Sequence, residues 1–281
     1  MMKSAVATLL MAATAASAYT YMEALDSPWP VSYYQNNLSG SASIGYNSRY
    51  TYQDIAASSW LNKSGVFNVS GLVNLPLMRM QQHVGATYGA VLDGRLSDRD
   101  VFQANWTADT EIFPNLKAGA GYDLNYGGLP GYVAKICGKA PHSLAQDFKG
   151  YLSYDDPGRG LFASAKLYGG FYGLTGWRFE LEAGKRWQGF LHSQADLEVS
   201  AGTGLSYGFW AGGVHGCDQL NVKAALPFKI NSASFDHGFK VVPFIQALWA
   251  GDTRGEVNRA CGVRVIDAFQ LVAGVQAVYS F

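Results

Sequence analysis

The side chains best suited to chemistry in this 281-residue chain are its five histidines and three cysteines. A hydrolase with a serine or cysteine nucleophile needs a histidine beside that nucleophile and a third group that orients the ring. His142 and His215 are the two histidines to test, because both fall in predicted loops. The other three lie near predicted strand ends: His83, His192 and His237. Because no histidine sits next to a serine on a polar strand face, we predict no catalytic residue, and an enzyme is the least supported class.

The three cysteines, Cys137, Cys217 and Cys261, are also predicted to lie in outer loops. In an exported protein two of them could form a disulfide, but their spacing does not say which two. With His215 they could in principle bind zinc, yet the spacing matches no standard zinc pattern. We therefore predict free or disulfide-bonded loop cysteines, no metal and no cofactor.

Charged residues recur at every second position in several segments. In WRFELEAGKRW, residues 177–187, the charges alternate with Trp, Phe, Leu and Ala. Residues 102–112 and 116–126 show the same period of two, which is typical of strands with two unlike faces. The charges on the polar faces carry both signs in near balance: Arg49, Asp109, Glu111, Lys117, Asp123, Lys149, Lys166, Arg178, Glu180, Glu182, Arg186, Asp196, Glu198, Lys223 and Lys240.

The two faces of these strands predict a membrane barrel. A soluble sandwich would not place charges in its dry core and tryptophans on its water side, so the apolar face points outward and the polar face lines a lumen. Trp177 and Trp187 are ten residues apart. At about 3.3 Å per residue and a tilt of about 40°, that is about 25 Å of height, which matches the lipid-facing band. We predict five aromatics at the membrane rims: Trp106, Trp177, Trp187, Tyr279 and Phe281.

The alternation predicts about twelve strands, although ten or fourteen are also compatible with it. Their approximate spans are 40–52, 65–77, 83–92, 100–111, 115–126, 147–155, 160–171, 176–187, 194–207, 218–229, 239–250 and 268–281. Short connections are typical of the periplasmic side and long ones of the outside. The predicted fold is an all-β transmembrane antiparallel β-barrel over residues 39–281.

The composition and the N-terminus agree with an exported membrane protein. The formal net charge is zero, which disfavours nucleic acid as a partner, and no later apolar run could form a spanning helix. Residues 1–18 have the positive start, apolar stretch and Ala-Ser-Ala end of a cleaved signal peptide. Residues 19–38 are predicted to form a periplasmic leader, although a short plug is equally compatible with Pro28 and Pro30, which break regular structure there.

The last residues, GVQAVYSF at 274–281, alternate apolar with small or polar side chains and end in Tyr-x-Phe. This pattern resembles the C-terminal signature of Gram-negative outer-membrane β-barrels. The resemblance implies that the barrel-assembly machinery recognises the strand ending in Phe281, and that outer-membrane lipid surrounds the barrel.

Two functional hypotheses remain open. A porin-like channel for small polar solutes would use the lumen charges to tune passage. In a structural or surface-interaction barrel the same charges would pair across a filled lumen, and outer-loop residues such as Tyr132, Phe209 and Trp210 would contact partners. An outer-membrane lipid hydrolase comes third. Hairpin geometry also predicts two cross-strand pairs, Arg186 with Asp196 and Lys166 with Glu182.

Overall fold

The structure is a computed structural model. It describes residues 38–48, 65–77, 80–92, 100–127, 138, 141–190, 195–210, 213–230, 238–251, 253, 256 and 269–281. The predicted signal peptide, and all but the last residue of the predicted leader, lie outside these ranges. No helix in the described ranges is long and apolar enough to cross a membrane.

Thirteen β-strands are described. They are β1 (Ser39–Asn47), β2 (Val66–Leu77), β3 (Met80–Val91), β4 (Val101–Phe113), β5 (Leu116–Gly127), β6 (Leu144–Asp156), β7 (Leu161–Tyr172), β8 (Trp177–Trp187), β9 (Leu197–Tyr207), β10 (His215–Ala225), β11 (Phe228–Ile230), β12 (Phe239–Ala250) and β13 (Phe269–Ser280).

The strands form one closed antiparallel barrel. From β1 to β10 each strand pairs with the next, β12 pairs with both β10 and β13, and β13 pairs with β1. The short strand β11 continues the path of β10 beyond Leu226 and Pro227, and it pairs with the start of β12. Because proline has no N–H to donate, it interrupts the ladder at this point. The predicted fold class is confirmed: twelve barrel strands and one extra segment.

The two ends of the barrel differ in their connections. We call the end where β1 begins and β13 finishes the turn end, and the opposite end the loop end. Tight turns join β4 to β5 and β6 to β7 at the turn end, and Asn115 takes a positive φ of 66° in the first of them. The longest connections, 48–65, 128–143 and 251–268, leave the loop end.

The direction of the two strand faces follows from contacts that skip a strand. Arg178 of β8 reaches Asp218 of β10 across β9, and Tyr151 of β6 reaches Asp109 of β4 across β5. Only the concave side of a closed sheet brings alternate strands so close. The polar side chains therefore point inward, and the apolar residues between them point outward and are largely exposed.

Strand β12 departs from this rule. Its segment VVPFIQALW alternates poorly, and the structure places Leu248 and Phe244 inside, where they pack with Val272 of β13. This small apolar cluster is the physical reason for the irregular pattern. The Phe244 ring lies over Gly274, where an added Cβ would meet its ring atoms at 2.5 Å.

Candidate functional site: the barrel interior

Exposure of the inward polar side chains changes along the barrel. Near the loop end many of the inward polar side chains of β5–β13 are almost fully buried, whereas Asn68, Thr87 and Gln103 of β2–β4 are partly exposed. The buried ones are Asp123, Asn125, Asp147, Arg178, Glu180, Asp218, Gln219, Asn221, Gln246 and Gln270. Nearer the turn end most of the charged ones are partly or largely exposed: Lys117, Lys166, Glu182, Arg186, Glu198 and Lys223. The charged side chains nearer the turn end are therefore more accessible than those near the loop end on the β5–β13 side of the barrel.

Arg178 lies at the centre of the buried side chains near the loop end. Its side chain is 1% exposed and forms ion pairs with Glu180 and with Asp218, the latter at 2.6 Å between Nε and Oδ2. Its guanidinium carbon lies 5.9 Å from the Tyr168 ring centroid and 5.5 Å from that of Trp210. Tyr168 also donates to Glu180 at 3.1 Å. We call these five residues the loop-end cluster.

The β9–β10 connection supplies one of the two aromatic rings of this cluster, that of Trp210, and adds Phe209 beside it. Trp210 Nε1 donates to Asp218 Oδ2 at 3.1 Å, and Phe209 packs edge-to-face on Trp210 and also contacts Tyr168. Phe209 and Trp210 are 2% and 3% exposed. The hypothesis that these two aromatics present themselves to a surface partner is therefore wrong, because they fold inward and cover Arg178.

Two backbone features position the loop-end cluster. Arg178 lies above Gly204 of β9, where an added Cβ would be 2.8 Å from its Nη2. A register shift between Cys217 and Gln219 leaves both Asp218 and Gln219 inward, although simple alternation from Gln219 would place Asp218 outward. Thr253 then donates to Asp218 Oδ1 at 2.9 Å.

A second buried group lies on β5 and β6 at the same level. Asp123 and Asp147 are directly opposite each other, both 0% exposed, and Lys149 Nζ lies 2.7 Å from Asp123 Oδ1. Asn125 donates to Asp147 at 3.4 Å. An unpaired charge out of bulk water is costly. The Lys149 ammonium is therefore needed to stabilise the Asp123 carboxylate.

A third group surrounds His83 on β3. Its Nδ1 lies 2.7 Å from Asn74 Oδ1 and its Nε2 lies 3.0 Å from Asp109 Oδ2. Tyr151 donates to the same Asp109 oxygen at 2.8 Å, and Lys117 Nζ lies 4.0 Å from the other oxygen. Both ring nitrogens are engaged with side chains other than a serine hydroxyl, so neither is placed to act as a general base on one. In this conformation His83 therefore has a structural role, because its ring links Asn74 of β2 to Asp109 of β4.

The accessible end, which we call the turn-end vestibule, is lined by Lys117, Lys166, Glu182, Arg186 and Glu198. Arg186 bridges Glu198 at 3.1 Å and Asp155 at 3.6 Å. The predicted Arg186–Asp196 pair is wrong, since Asp196 lies 3.4 Å from Lys229. The predicted Lys166–Glu182 pair is also wrong, because Lys166 is opposite Glu180. Both partners are displaced by two residues, since the hairpin connections set a different register from the assumed one.

The remaining predicted lumen charges divide by position. Glu111 accepts from the Asn115 backbone N–H at 3.0 Å in the β4–β5 turn, and Lys223 lies over the Phe244 ring at 5.1 Å. Lys240 is opposite Lys229 near the turn end. Arg49 lies outside the described residues.

The aromatic residues predicted at the rims take different positions. Trp177 and Trp187 are the first and last residues of β8, both exposed and outward. Tyr279 and Phe281 lie near the turn end, with ring centroids 6.4 Å apart. Trp106 lies near the middle of β4, where it donates to Gln82 at 3.1 Å, so the bounds of its strand do not support its placement at a rim.

The cysteines and loop histidines are placed only in part. Cys217 is not in a loop but within β10, as a free thiol 3.8 Å from the Thr203 hydroxyl. His215 is the first residue of β10, because that strand begins three residues before its predicted start at 218. His142 is an exposed residue just before β6. Cys137, Cys261, His192 and His237 lie outside the described residues, and the described part of the chain holds no metal-binding group of three His, Cys, Asp or Glu side chains.

The sequence reasoning missed several interior residues. Asp147 was placed at the first position of its predicted strand, whereas β6 begins at Leu144 and carries Asp147 inside. Asp218 was hidden by the register shift in β10. The sequence predicts His83 near a rim, and only its inward parity on β3 indicates its role.

These features define a closed antiparallel β-barrel with a polar interior and an apolar exterior. No protein-family model matches the chain, and no curated protein matches it. Its fold is similar to that of the KdgM porin, at 10% identity over 86% of this chain and 99% of that one, with a TM-score of 0.45. It is also similar to an outer membrane channel from Pseudomonas putida F1, at 9% identity over 87% and 95% of the two chains, with a TM-score of 0.46. LpxR from Salmonella typhimurium is similar at 11% identity over 85% and 99%, with a TM-score of 0.42. At these identities the likeness concerns the fold alone.

Proposed function

We propose that this protein is an outer-membrane β-barrel with a porin-like lumen for small polar solutes, closed at its loop end in the present conformation. The observation that carries the proposal is the change in exposure along the interior. Charges of both signs are accessible in the turn-end vestibule, and the path ends at the buried loop-end cluster.

Placement in the membrane is supported by the outward face. Large apolar side chains are exposed around the barrel, among them Trp106, Leu152, Leu181, Ile245 and Val275. Such a continuous apolar surface would be a liability in water and is what a lipid-facing barrel needs. The predicted signal peptide and the C-terminal Tyr-x-Phe pattern agree with an outer-membrane location and with recognition by the barrel-assembly machinery.

Buried charges argue for passage rather than for a purely structural interior. Replacing a buried ion pair with packed apolar residues is often neutral or stabilising, so a barrel that needed only a solid core would gain little from Arg178 and its two carboxylates. In a channel, by contrast, polar residues that close one end of the lumen can separate and leave a hydrated path for solutes.

The test is solute uptake by proteoliposomes. We expect slow uptake of a small sugar with the unaltered barrel, and faster uptake with Trp210→Ala, because that change removes the aromatic cover over Arg178. The matched control is Trp187→Ala, an outward tryptophan, which should leave uptake unchanged.

A second candidate is a structural barrel with a filled lumen. The low exposure of Asp123, Asp147 and Arg178, none more than 1% exposed, favours this candidate, whereas the charge of these side chains favours the channel. If folded Trp210→Ala barrels admit no solute, this candidate replaces the channel, and the search for function moves to the loops.

A further inference from the structure

A single lysine stands on the outward face of the described strands. In β8 the outward positions are Trp177, Phe179, Leu181, Ala183, Lys185 and Trp187, and no other lysine or arginine of the described strands has outward parity. A cation on a lipid-facing surface is costly at the membrane midplane and tolerated near the interface. Lys185 lies two residues from the turn end of β8, and its Nζ is 5.5 Å from the Trp187 ring centroid. The ammonium is therefore held at the level of the rim.

A furrow of about 540 Å³ is lined on β8 by Leu181, Glu182 and Ala183, so it begins two residues from Lys185 along the strand. Its floor consists of Ala163, Ala183 and Ala201, which the register places side by side on β7, β8 and β9. Its larger lining side chains include Leu152, Tyr154 and Leu181. Small residues between large ones therefore form a depression that is open to the surroundings of the barrel and lined by hydrocarbon.

We propose that Lys185 and this furrow bind one anionic phospholipid, with the headgroup phosphate at Lys185 and an acyl chain in the furrow. The inference rests on the membrane placement given under the proposed function. The positive charge is complementary to an anionic headgroup, and the apolar furrow matches hydrocarbon. Along β8, Trp187 lies at the interface, Lys185 lies next to it, and Ala183 lies further into the bilayer. This order matches the order of headgroup and acyl chain in a phospholipid.

The test is native mass spectrometry of barrels folded in an equal mixture of phosphatidylglycerol and phosphatidylcholine. We expect one retained lipid with a preference for phosphatidylglycerol. Lys185→Gln should reduce that preference about fivefold, as expected for the loss of one lysine near an anionic surface. Ala183→Leu, which fills the furrow, should reduce retention of both lipids.

Two variants serve as matched controls. Lys229→Gln removes a lysine near the same end but away from the furrow, and Ala120→Leu adds the same bulk to the outward face of β5. Both should retain lipid as the unaltered barrel does. Sodium phosphate should not displace the lipid, because the acyl chain supplies part of the binding.

Three results would overturn the inference. They are an unchanged preference in Lys185→Gln, displacement of the lipid by phosphate alone, or a dimer that forms through the furrow in place of lipid binding. A barrel that fails to insert into vesicles would instead contradict the proposed function, so the two failures are distinguishable.

Discussion

At the scale of single residues, Arg178 is the side chain whose loss should cost most. It neutralises Glu180 and Asp218 where water does not reach. Removing one partner of a buried ion pair leaves an uncompensated charge, and Arg178→Met should lower the free energy of unfolding by about 3–5 kcal/mol. Urea unfolding in detergent micelles, followed by tryptophan fluorescence, measures this change.

Arg186 is the matched control because it is an inward arginine on the same strand. Its side chain is 28% exposed and its partners lie at the accessible end. Arg186→Met should therefore cost less than about 1 kcal/mol. Equal losses in the two variants would contradict the difference in burial between the two ends.

Gly119 illustrates a second effect at this scale. The Tyr151 side chain passes over Gly119 to donate a hydrogen bond to Asp109. A Cβ added at Gly119 would collide with the Tyr151 ring. Gly119→Ala should displace Tyr151, break its hydrogen bond and cost about 1–3 kcal/mol in the same unfolding experiment.

The control for this change is Gly150→Ala in the neighbouring strand. An added Cβ there meets no atom within 4 Å. It should change stability by no more than about 0.5 kcal/mol. A large loss at Gly150, or none at Gly119, would show that the glycines do not differ as the geometry requires.

Parity along a strand was enough to predict that Arg178, Glu180 and Asp123 share the inward face. The extent to which each side chain is buried was not predictable in the same way, because burial depends on residues distant in sequence. Trp210 and Asp218 bury Arg178, yet one follows the end of β9 and the other lies in a register shift. A period of two carries no information about either.

At the scale of the elements, the barrel depends on the pairing of its first and last strands. The backbone N–H of Phe281 donates to the Gly40 carbonyl at 3.0 Å, and the Gly40 N–H donates back at 3.0 Å. The Phe281 ring lies over Gly40, where an added Cβ would be 2.6 Å from it. The final aromatic thus covers the closing seam at the turn end.

Phe281→Ala should therefore slow barrel assembly, because it uncovers this seam and removes the last residue of the Tyr-x-Phe pattern. Heat-modifiable gel migration over time measures the folded fraction. Phe269→Ala is the control, since Phe269 is also an exposed outward aromatic but begins the same strand at the loop end. Comparable assembly rates for Phe281→Ala and the unaltered barrel would argue against this role.

Strand existence was predictable at this scale, whereas cross-strand partners were not. The twelve predicted segments correspond to the barrel strands because all of them except the β12 segment keep two unlike faces over their length. The Arg186 and Lys166 pairings failed by two residues, since register depends on turn geometry rather than on alternation. A shift of two preserves which face is inward, which is why the fold prediction was unaffected.

At the scale of the whole molecule, the barrel combines an apolar exterior, an accessible charged vestibule and a loop end that we propose is closed. The exterior follows directly from the alternation of the strands. The closure does not, because it is made by a connection whose inward fold no local pattern indicates. Its presence distinguishes the occluded channel that we propose from an open pore.

The most direct test is single-channel recording in planar bilayers, with heat-modifiable migration as the control for folding. The unaltered barrel should show little conductance, and Trp210→Ala should show discrete steps as water and ions pass the uncovered Arg178. Large steady steps from the unaltered barrel would contradict the closure. Silence from both folded proteins would contradict the channel itself.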